Sequence, residues 1–288
     1  MKTAAIFLCW IALPSWAGII EVQRDVPISK TGARATVFSL ALKDAKVEVM
    51  SVLQLRRAQP GASEEVSVRD LLSNVTRLPR EMLPRPSSDF LLVNGGFSSE
   101  PTSRPAGLLI SGGRTLSTPS YSREKGNLRS SCEFARLNRF RLSALLCVPK
   151  DGSVDIRSFS GESFKDCQHA IQAGPLLIEQ SRPQVCRPSA SPETSVRTSL
   201  CITGDAAMDG RLKVVVTQEP IALFDLSVWM QTAVAEGGLG CKVAMNLGGD
   251  NSSAAALFRR GRSVSAAPSF VIGDGTYPQA SFIAISTR

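Results

Sequence analysis

Three segments of the chain pair the end of an apolar, strand-like run with a polar loop that contains glycine. They are Asn94-Gly95-Gly96-Phe97, Gln172-Ala173-Gly174-Pro175 and Asn246-Leu247-Gly248-Gly249-Asp250-Asn251-Ser252-Ser253. Glycine lets the backbone approach a ligand closely, and backbone N–H groups and amide side chains bind polar ligands. If the three strands are neighbours, the loops meet at one rim and form a small concave site. The alternative is that each loop is an ordinary glycine turn.

A few ionisable residues have the chemistry for catalysis. Arg197, beside Thr198, lies in an apolar run, where a charge is costly unless it is paired or faces a site. It is suited either to hold a phosphate with help from Thr198 or to form a structural salt bridge. Asp250, in the third loop, is the carboxylate best placed to act on a substrate. His169 is the only histidine and a second candidate base, although a lone histidine is more often structural.

The surrounding pattern predicts the elements that must position these residues. Alternating apolar residues over 19–28, 33–42 and 47–55 predict an antiparallel meander, and runs at 90–93, 171–178, 196–203 and 243–247 predict further strands. A helix is predicted to begin with Asp225 as its N-cap and to bury one face, made of Leu226, Trp229, Met230, Ala233 and Val234. The fold class is therefore α+β, with mostly antiparallel or mixed sheet and a few packed helices.

The first residues have the features of a secretory signal. Lys2 precedes an apolar run over 4–14, and Ser15-Trp16-Ala17 supplies the small residues before a cleavage site. We predict that residues 1–17 are a signal peptide and that 18–288 form a single exported domain, in a bacterial periplasm or secreted. No later run reaches the length of a transmembrane helix, so no transmembrane anchor is predicted.

The cysteines predict disulfides. Of seven cysteines Cys9 leaves with the signal, and an even number in an oxidising compartment indicates a disulfide set. The pairs expected are Cys132 with Cys147 and Cys186 with Cys201, because each brackets one hairpin-sized loop, which leaves Cys167 with Cys241. The chain has no CxxC motif and only one histidine, so we predict no zinc site and assign no metal ligands. No cofactor is evident, and a requirement for a divalent metal stays open.

The net charge of +8, which becomes +7 without Lys2, suits an anionic partner such as a phosphorylated glycan, or simply keeps the protein soluble. A basic stretch over 123–141 is a candidate docking strip or a solvated face. Aromatic residues near it are few, which disfavours nucleic acid as a partner. The oligomeric state is not predicted.

Taken in order, these segments resemble the phosphodiester glycosidase domain from about residue 33 to the C-terminus. The resemblance includes the three glycine loops, Gly107-Leu108-Leu109-Ile110, Arg197-Thr198 and the helix from Asp225. Two positions depart from the family pattern: Ser98 replaces a second phenylalanine, and Gly248 replaces an aspartate. Asp250 follows two residues later. Either the loop is shifted in register so that Asp250 does the work, or the carboxylate and hydrolysis are lost.

The resemblance implies cleavage of a sugar C1–O bond to phosphate, in an envelope or extracellular glycan or glycolipid, through an oxocarbenium-like transition state. Arg197 would hold the phosphate with Thr198, and Asp250 or His169 would activate water. The residues expected to orient the sugar are Asn94, Gly95, Gly96, Gln172, Gly174, Asn246, Gly248, Gly249 and Ser252. The alternative is a catalytically inactive family member that binds envelope glycan, and a third class is a basic protein that binds polyanions by charge alone.

Overall fold

The computed structural model describes residues 19–52, 54, 67, 69, 71, 88–99, 104–121, 142–187, 192–204, 209–259 and 268–288. The basic stretch over 123–141 lies wholly outside these residues. The strands of the described part, in chain order, are β1 Glu21–Pro27, β2 Arg34–Ala41, β3 Ala45–Ser51, β4 Phe90–Asn94, β5 Ser98–Ser99, β6 Arg104–Pro105, β7 Leu109–Ser111, β8 Arg114–Ser117, β9 Ala144–Pro149, β10 Asp155–Ser158, β11 Cys167–Ala173, β12 Leu176–Glu179, β13 Arg182–Pro183, β14 Thr194–Ser195, β15 Arg197–Ile202, β16 Arg211–Thr217, β17 Ile221–Ala222, β18 Val243–Gly249, β19 Ala254–Phe258, β20 Phe270–Gly273 and β21 Ser281–Thr287.

These strands form three large antiparallel sheets. The first has seven strands in the order β1-β2-β16-β15-β18-β12-β13, and two sheets of five strands have the orders β10-β9-β11-β7-β8 and β20-β19-β4-β21-β3. The pairs β14-β17 and β5-β6 form short ribbons. Phe38, Leu146 and Ile283 come from the three large sheets and belong to one buried cluster, so the main core lies between the sheets.

One α-helix, α1 Leu223–Gln231, is described over its full length and covers the other face of the seven-stranded sheet. Short 3₁₀ turns lie at Leu42–Asp44, Val234–Glu236 and Asp250–Ser252. In the described part the protein is β-rich, which corrects the expected α+β class with several helices to a mostly antiparallel β fold with one helix.

The helix differs in detail from its prediction. It begins at Leu223, after the N-cap Ala222, so Asp225 lies in the first turn and does not cap it. Leu226, Trp229 and Met230 are buried as expected. Val234 is 67% exposed because the α-helix has already ended at Gln231. The buried face is therefore one turn shorter than the sequence pattern indicated.

Two strand predictions are wrong because pairing partners come from distant parts of the chain. The expected meander stops after β2, since β3 pairs with β21 in another sheet. The single strand expected over 171–178 is divided into β11 and β12, which belong to different sheets. The division falls at Gly174–Pro175, where proline offers no N–H to a continuing ladder.

Two disulfides join neighbouring strands or a strand and the loop before one. Cys147 of β9 bonds to Cys167 of β11, and Cys201 of β15 bonds to Cys241, just before β18. Cys186 is also disulfide-bonded, and its partner lies outside the described residues. The Cα–Cα distances are 5.4 and 5.8 Å, within the range that a disulfide can join. The pairing therefore follows from which strands are neighbours in space, and not from which cysteines bracket a short loop.

The expected pairings of Cys132 with Cys147, Cys186 with Cys201 and Cys167 with Cys241 are therefore wrong, although Cys132 itself lies outside the described residues. Within the described part of the chain, no helix has the length and hydropathy needed to cross a bilayer.

Candidate active site

The three glycine loops surround one cleft of about 580 Å³. Gly96 follows β4, Pro175 lies between β11 and β12, and Asn246 and Gly248 belong to β18. The strands that carry these loops belong to different sheets, because β4 lies in one sheet and β18 in another. The loops therefore meet through the packing of the sheets, and not as neighbours in a single sheet.

Arg197 provides a buried cation at this cleft. Its side chain lines the cleft, and the residue is only 8% exposed. Its backbone N–H donates to Thr217 Oγ1 at 2.8 Å, whereas its Nε has no hydrogen-bond partner among the described residues. Burial lowers the pKa of the guanidinium, while Glu193 and Asp250 oppose that shift. Arginine keeps its charge in proteins, so the cleft has a cationic donor open to an anion.

Gly249 makes room for this guanidinium. Arg197 and Gly249 are register partners on β15 and β18. A Cβ atom on Gly249 would lie 2.9 Å from Arg197 Nη1 and 2.8 Å from Ser195 Oγ. Both distances are shorter than ordinary carbon contacts, so a larger residue would displace one of these side chains. Gly249 therefore leaves space for the side chains of Arg197 and Ser195.

Asp250 presents a carboxylate to the same cleft as the Arg197 guanidinium. It begins the 3₁₀ turn after β18 with a left-handed φ of 53°. Its N–H donates to Ser195 Oγ and to the Val196 carbonyl, both at 2.9 Å, and its Oδ1 accepts from the Ser195 hydroxyl. Its Oδ2 has no hydrogen-bond partner among the described residues. One carboxylate oxygen is held and the other is available to a substrate or water.

Asn246 connects two of the loops and retains a free acceptor. The side chain is fully buried, and its Nδ2 donates to the Gly174 carbonyl at 3.0 Å. Its Oδ1 has no partner within the described residues although it is buried. Because an unsatisfied buried acceptor is costly, a hydroxyl or amide N–H of a bound ligand would relieve it. Ser252 also lines the cleft, and its hydroxyl donates to the Gly249 carbonyl at 2.5 Å.

Gln172 supports the structure around the cleft instead of lining it. Its Oε1 accepts from the N–H groups of Leu108 at 3.0 Å and Ser120 at 2.9 Å. Its Nε2 donates to the carbonyls of Ser120 at 2.7 Å and Leu142 at 2.9 Å. These four bonds use the amide fully, so we assign Gln172 to holding three chain segments together.

Two other predicted residues are also engaged in the fold. Asn94 Oδ1 accepts from the Ala254 N–H at 3.1 Å, and its Nδ2 donates to the Gly95 carbonyl at 3.2 Å. Gly95 packs directly against Ser281, with no room for a Cβ atom. Thr198 is fully buried and does not line the cleft, because successive strand residues point to opposite faces and Arg197 faces the cleft.

His169 lies outside the cleft lining, on β11. Its Nδ1 accepts from the backbone N–H of Val49 at 3.3 Å and of Gly112 at 3.4 Å. Burial lowers the pKa of the imidazole, and Glu48 opposes this shift. An imidazole that accepts from a residue inside β3 and from the turn after β7 is a structural arrangement.

The structure brings to the site several residues that the sequence did not predict. Glu193 lines the cleft, and Ser195 bonds to Asp250. Both residues are spaced by two along the extended chain that leads to Arg197. Alternate residues of an extended chain point to the same face, so this spacing could have predicted them. Tyr277 and Gln279 also line the cleft, but they follow the matched motifs by many residues and had no such signal.

A profile of the family described as phosphodiester glycosidase matches residues 90–273, which is more than half of the chain and includes all three glycine loops. The chain belongs to the phosphodiester glycosidase family. The resemblance expected from the motifs is thereby confirmed, and membership indicates a hydrolase of the glycosidase type. No curated protein matched the sequence significantly.

Solved structures with the same fold share little sequence identity with this family member. The zebrafish N-acetylglucosamine-1-phosphodiester alpha-N-acetylglucosaminidase catalytic domain, auto-inhibited by its pro-peptide, is 13% identical with a TM-score of 0.54; the match covers 94% of this chain and 83% of that one. A hypothetical protein from Synechocystis is 12% identical with a TM-score of 0.54, covering 93% and 61%. A putative exported protein from Burkholderia pseudomallei K96243 is 11% identical with a TM-score of 0.50, covering 91% and 75%.

In this member of the phosphodiester glycosidase family the position of Gly248 is already crowded. A Cβ atom there would lie 3.0 Å from Ser252 Oγ and 3.2 Å from Asn94 Nδ2. An aspartate at 248 would require these side chains to move. The only carboxylate that the described part of this loop brings to the cleft is that of Asp250.

Proposed function

We propose that this protein is an exported glycosidase that cleaves a sugar C1–O bond to phosphate in an envelope or extracellular glycan or glycolipid. The observation that carries the proposal is the buried guanidinium of Arg197, with an unsatisfied Nε, in one cleft with Asp250. Family membership supports the glycosidase chemistry. The name of the zebrafish relative supports a sugar-1-phosphodiester as substrate class.

Export is the part of the proposal that concerns location. The disulfides of the described cysteines are typical of oxidising compartments, and one structural neighbour is titled a putative exported protein. The predicted signal over 1–17 and single domain over 18–288 agree with this. We propose a bacterial periplasmic or secreted location.

Arg197 acts on the leaving group in this proposal. As the C1–O bond breaks, its electron pair passes to the phosphate oxygen and negative charge grows there. A guanidinium placed in advance binds this charge most strongly at the transition state. A phosphate of low basicity leaves without much protonation, so one cation and one carboxylate suffice for the chemistry.

Asp250 acts on the attacking water. Its free Oδ2 accepts a proton from water as the water oxygen bonds to C1, and its negative charge stabilises the oxocarbenium-like carbon. The products are a free sugar and a phosphate monoester. Because His169 lies outside the cleft lining, the mechanism does not include it.

Asn246 and the glycine loops orient the sugar. The free Oδ1 of Asn246 accepts from a sugar hydroxyl or amide N–H, and the backbone at Gly96, Gly174 and Gly248 forms the walls around it. In contrast, Asn94 and Gln172 support these walls through the hydrogen bonds described above, and Thr198 is buried outside the cleft lining. We therefore propose the first group as substrate-binding residues and the second as their support.

The second candidate is a catalytically inactive family member that binds envelope glycan. The observation that favours it is Gly248, at the position where the family resemblance leads us to expect an aspartate. This protein would keep the cleft and its guanidinium but would not turn over substrate.

The test is release of free sugar from an N-acetylglucosamine-1-phosphodiester by the mature, oxidised protein. Removing a hydrogen bond to a charged group costs about 1.5–3 kcal/mol, so Arg197→Ala should lower kcat/KM by about 10- to 150-fold. Asp250→Asn should lower kcat with the fold intact. Arg114→Ala and Asp151→Asn change exposed residues outside the cleft lining and serve as matched controls.

Two results would overturn the enzyme assignment. One is unchanged turnover in the Arg197 variant. The other is no turnover by a well-folded wild type over a panel of sugar phosphodiesters, combined with glycan binding that Arg197→Ala abolishes, which would establish the inactive binding protein.

A further inference from the structure

Two reciprocal hydrogen bonds join Ser195 and Asp250, which are 55 residues apart. The Ser195 hydroxyl accepts from the Asp250 N–H at 2.9 Å and donates to Asp250 Oδ1. A single hydroxyl thus contacts both the backbone and the side chain of the proposed base. Ser195 is 3% exposed, so water does not readily replace it.

Asp250 has few other restraints on its side chain. The residue is exposed, and Ser195 provides the only side-chain hydrogen bond to its carboxylate among the described residues. Its φ of 53° is uncommon for a residue with a Cβ atom. A free carboxylate samples several rotamers, so an anchored oxygen limits where Oδ2 points.

The surrounding chain keeps Ser195 in reach of this carboxylate. Ser195 pairs with Ile221 of β17, the short strand directly before α1. This pairing fixes the backbone of the serine. The absence of a side chain at Gly249 leaves the space through which the hydroxyl reaches Asp250, since a Cβ atom there would lie 2.8 Å from Ser195 Oγ. Arg197 follows two residues later, so the same short segment carries the cation and anchors the base.

From this geometry we propose that Ser195 is a positioning residue that fixes the Asp250 carboxylate relative to Arg197. The inference rests on the proposed function for the working role of Asp250. It goes beyond the family resemblance, which assigned nothing to position 195. The purely structural alternative is that the hydroxyl serves only the local backbone, because Ser195 Oγ also lies 3.0 Å from the Val196 carbonyl.

A kinetic experiment separates the two roles. Ser195→Ala should lower kcat by about 10- to 100-fold with little change in KM, because a misplaced base slows chemistry more than binding. Ser195→Thr, which keeps the hydroxyl, should recover most of the loss. In an Asp250→Asn background, Ser195→Ala should have little further effect, because the serine acts through the aspartate.

Ser253→Ala is the matched control. Ser253 is buried in the same loop as Asp250, and its hydroxyl donates to the Val196 carbonyl at 3.3 Å. Its backbone N–H donates to the Asp250 carbonyl at 3.0 Å, a bond that alanine keeps, and among the described residues its hydroxyl makes no hydrogen bond to the Asp250 carboxylate. Its removal should leave kcat nearly unchanged. Equal losses from Ser195→Ala and Ser253→Ala, or a full additional loss in the Asp250→Asn background, would overturn the positioning role.

Crystal structures of the variants test the positioning role even if the wild type turns over no substrate. That absence of turnover would count against the proposed function and not against the positioning role. In the wild type we expect the Asp250 carboxylate in one orientation. In Ser195→Ala we expect it to be rotated or to occupy several orientations, with Arg197 unmoved. An unchanged carboxylate in Ser195→Ala would overturn the inference.

Discussion

Replacing both cysteines of the Cys201–Cys241 disulfide with alanine is expected to lower the free energy of unfolding by about 4 kcal/mol. The bond closes a loop with a sequence separation of 40 residues, and loop-closure entropy for that length is about 13 cal/mol/K, or about 4 kcal/mol at 25 °C. The Cys147–Cys167 bond closes a separation of 20 residues, for which the same relation yields about 3.3 kcal/mol. The longer loop should therefore show the larger loss.

Trp229 provides the signal for this measurement. It is the only tryptophan outside the predicted signal peptide, it is 2% exposed, and it belongs to the same buried cluster as both cysteines of the longer loop. Guanidinium unfolding followed by tryptophan fluorescence would yield the free energy for wild type and the Cys201→Ala/Cys241→Ala variant. Peptide mapping without reduction would report the pairing in the same samples.

A loss below about 1 kcal/mol would refute the loop-closure argument for this protein. A peptide that links Cys186 to Cys201 would refute the pairing itself and restore the arrangement expected from loop size alone. The Cys147→Ala/Cys167→Ala variant is the control for removing two buried sulfur atoms, because it differs mainly in loop length.

Two further predictions concern a buried imidazole and a crowded glycine. Burial lowers the pKa of His169, so the unfolded chain binds more protons than the folded one below about pH 6.5, and stability should fall as the pH drops from there toward the folded-state pKa. Unfolding curves at several pH values should show this fall in the free energy of unfolding in the wild type and not in His169→Gln. Identical pH dependence of the free energy of unfolding in both proteins would contradict the prediction. Gly249→Ala should lower kcat/KM by about 10-fold or more, because its methyl group would displace Arg197 or Ser195, each within 2.9 Å, and overpacking costs about 1–3 kcal/mol. Gly161→Ala is the control, because among the described residues its methyl group would meet only Tyr121 Oη, at 3.7 Å. Equal kcat/KM values for the two variants would argue against the crowding.

The local sequence pattern was sufficient to predict a strand where a segment alternates apolar and polar residues or forms a continuous apolar run. The expected strands over 90–93 and 243–247 correspond to β4 and β18, and their loops do reach one cleft. The expected run over 171–178 failed because its two halves pair with different sheets, and a pairing partner is chosen by the whole fold. The same reason explains the disulfides, since Cys147 and Cys167 meet through strand pairing.

The candidate site shows the same division at the level of single side chains. Arg197 was identified because a charge in an apolar run requires an explanation, and it does line the cleft. Gln172 and Asn94 were expected to contact a sugar, but their amides are used in buried hydrogen bonds to distant backbone groups. An amide beside a glycine has the same local pattern whether it binds a ligand or a backbone, so its partners were not predictable.

The sequence by itself determined the types and order of the glycine loops, the cation in its strand and the family to which the chain belongs, because each depends on residues close together along the chain. Only the tertiary structure decided which cleft atoms have no hydrogen-bond partner among the described residues: Arg197 Nε, Asn246 Oδ1 and the second oxygen of Asp250. It also decided that Ser195 anchors that aspartate from 55 residues away. Whether a polar atom is free depends on every segment packed around it, and packing joins residues that are distant in the chain.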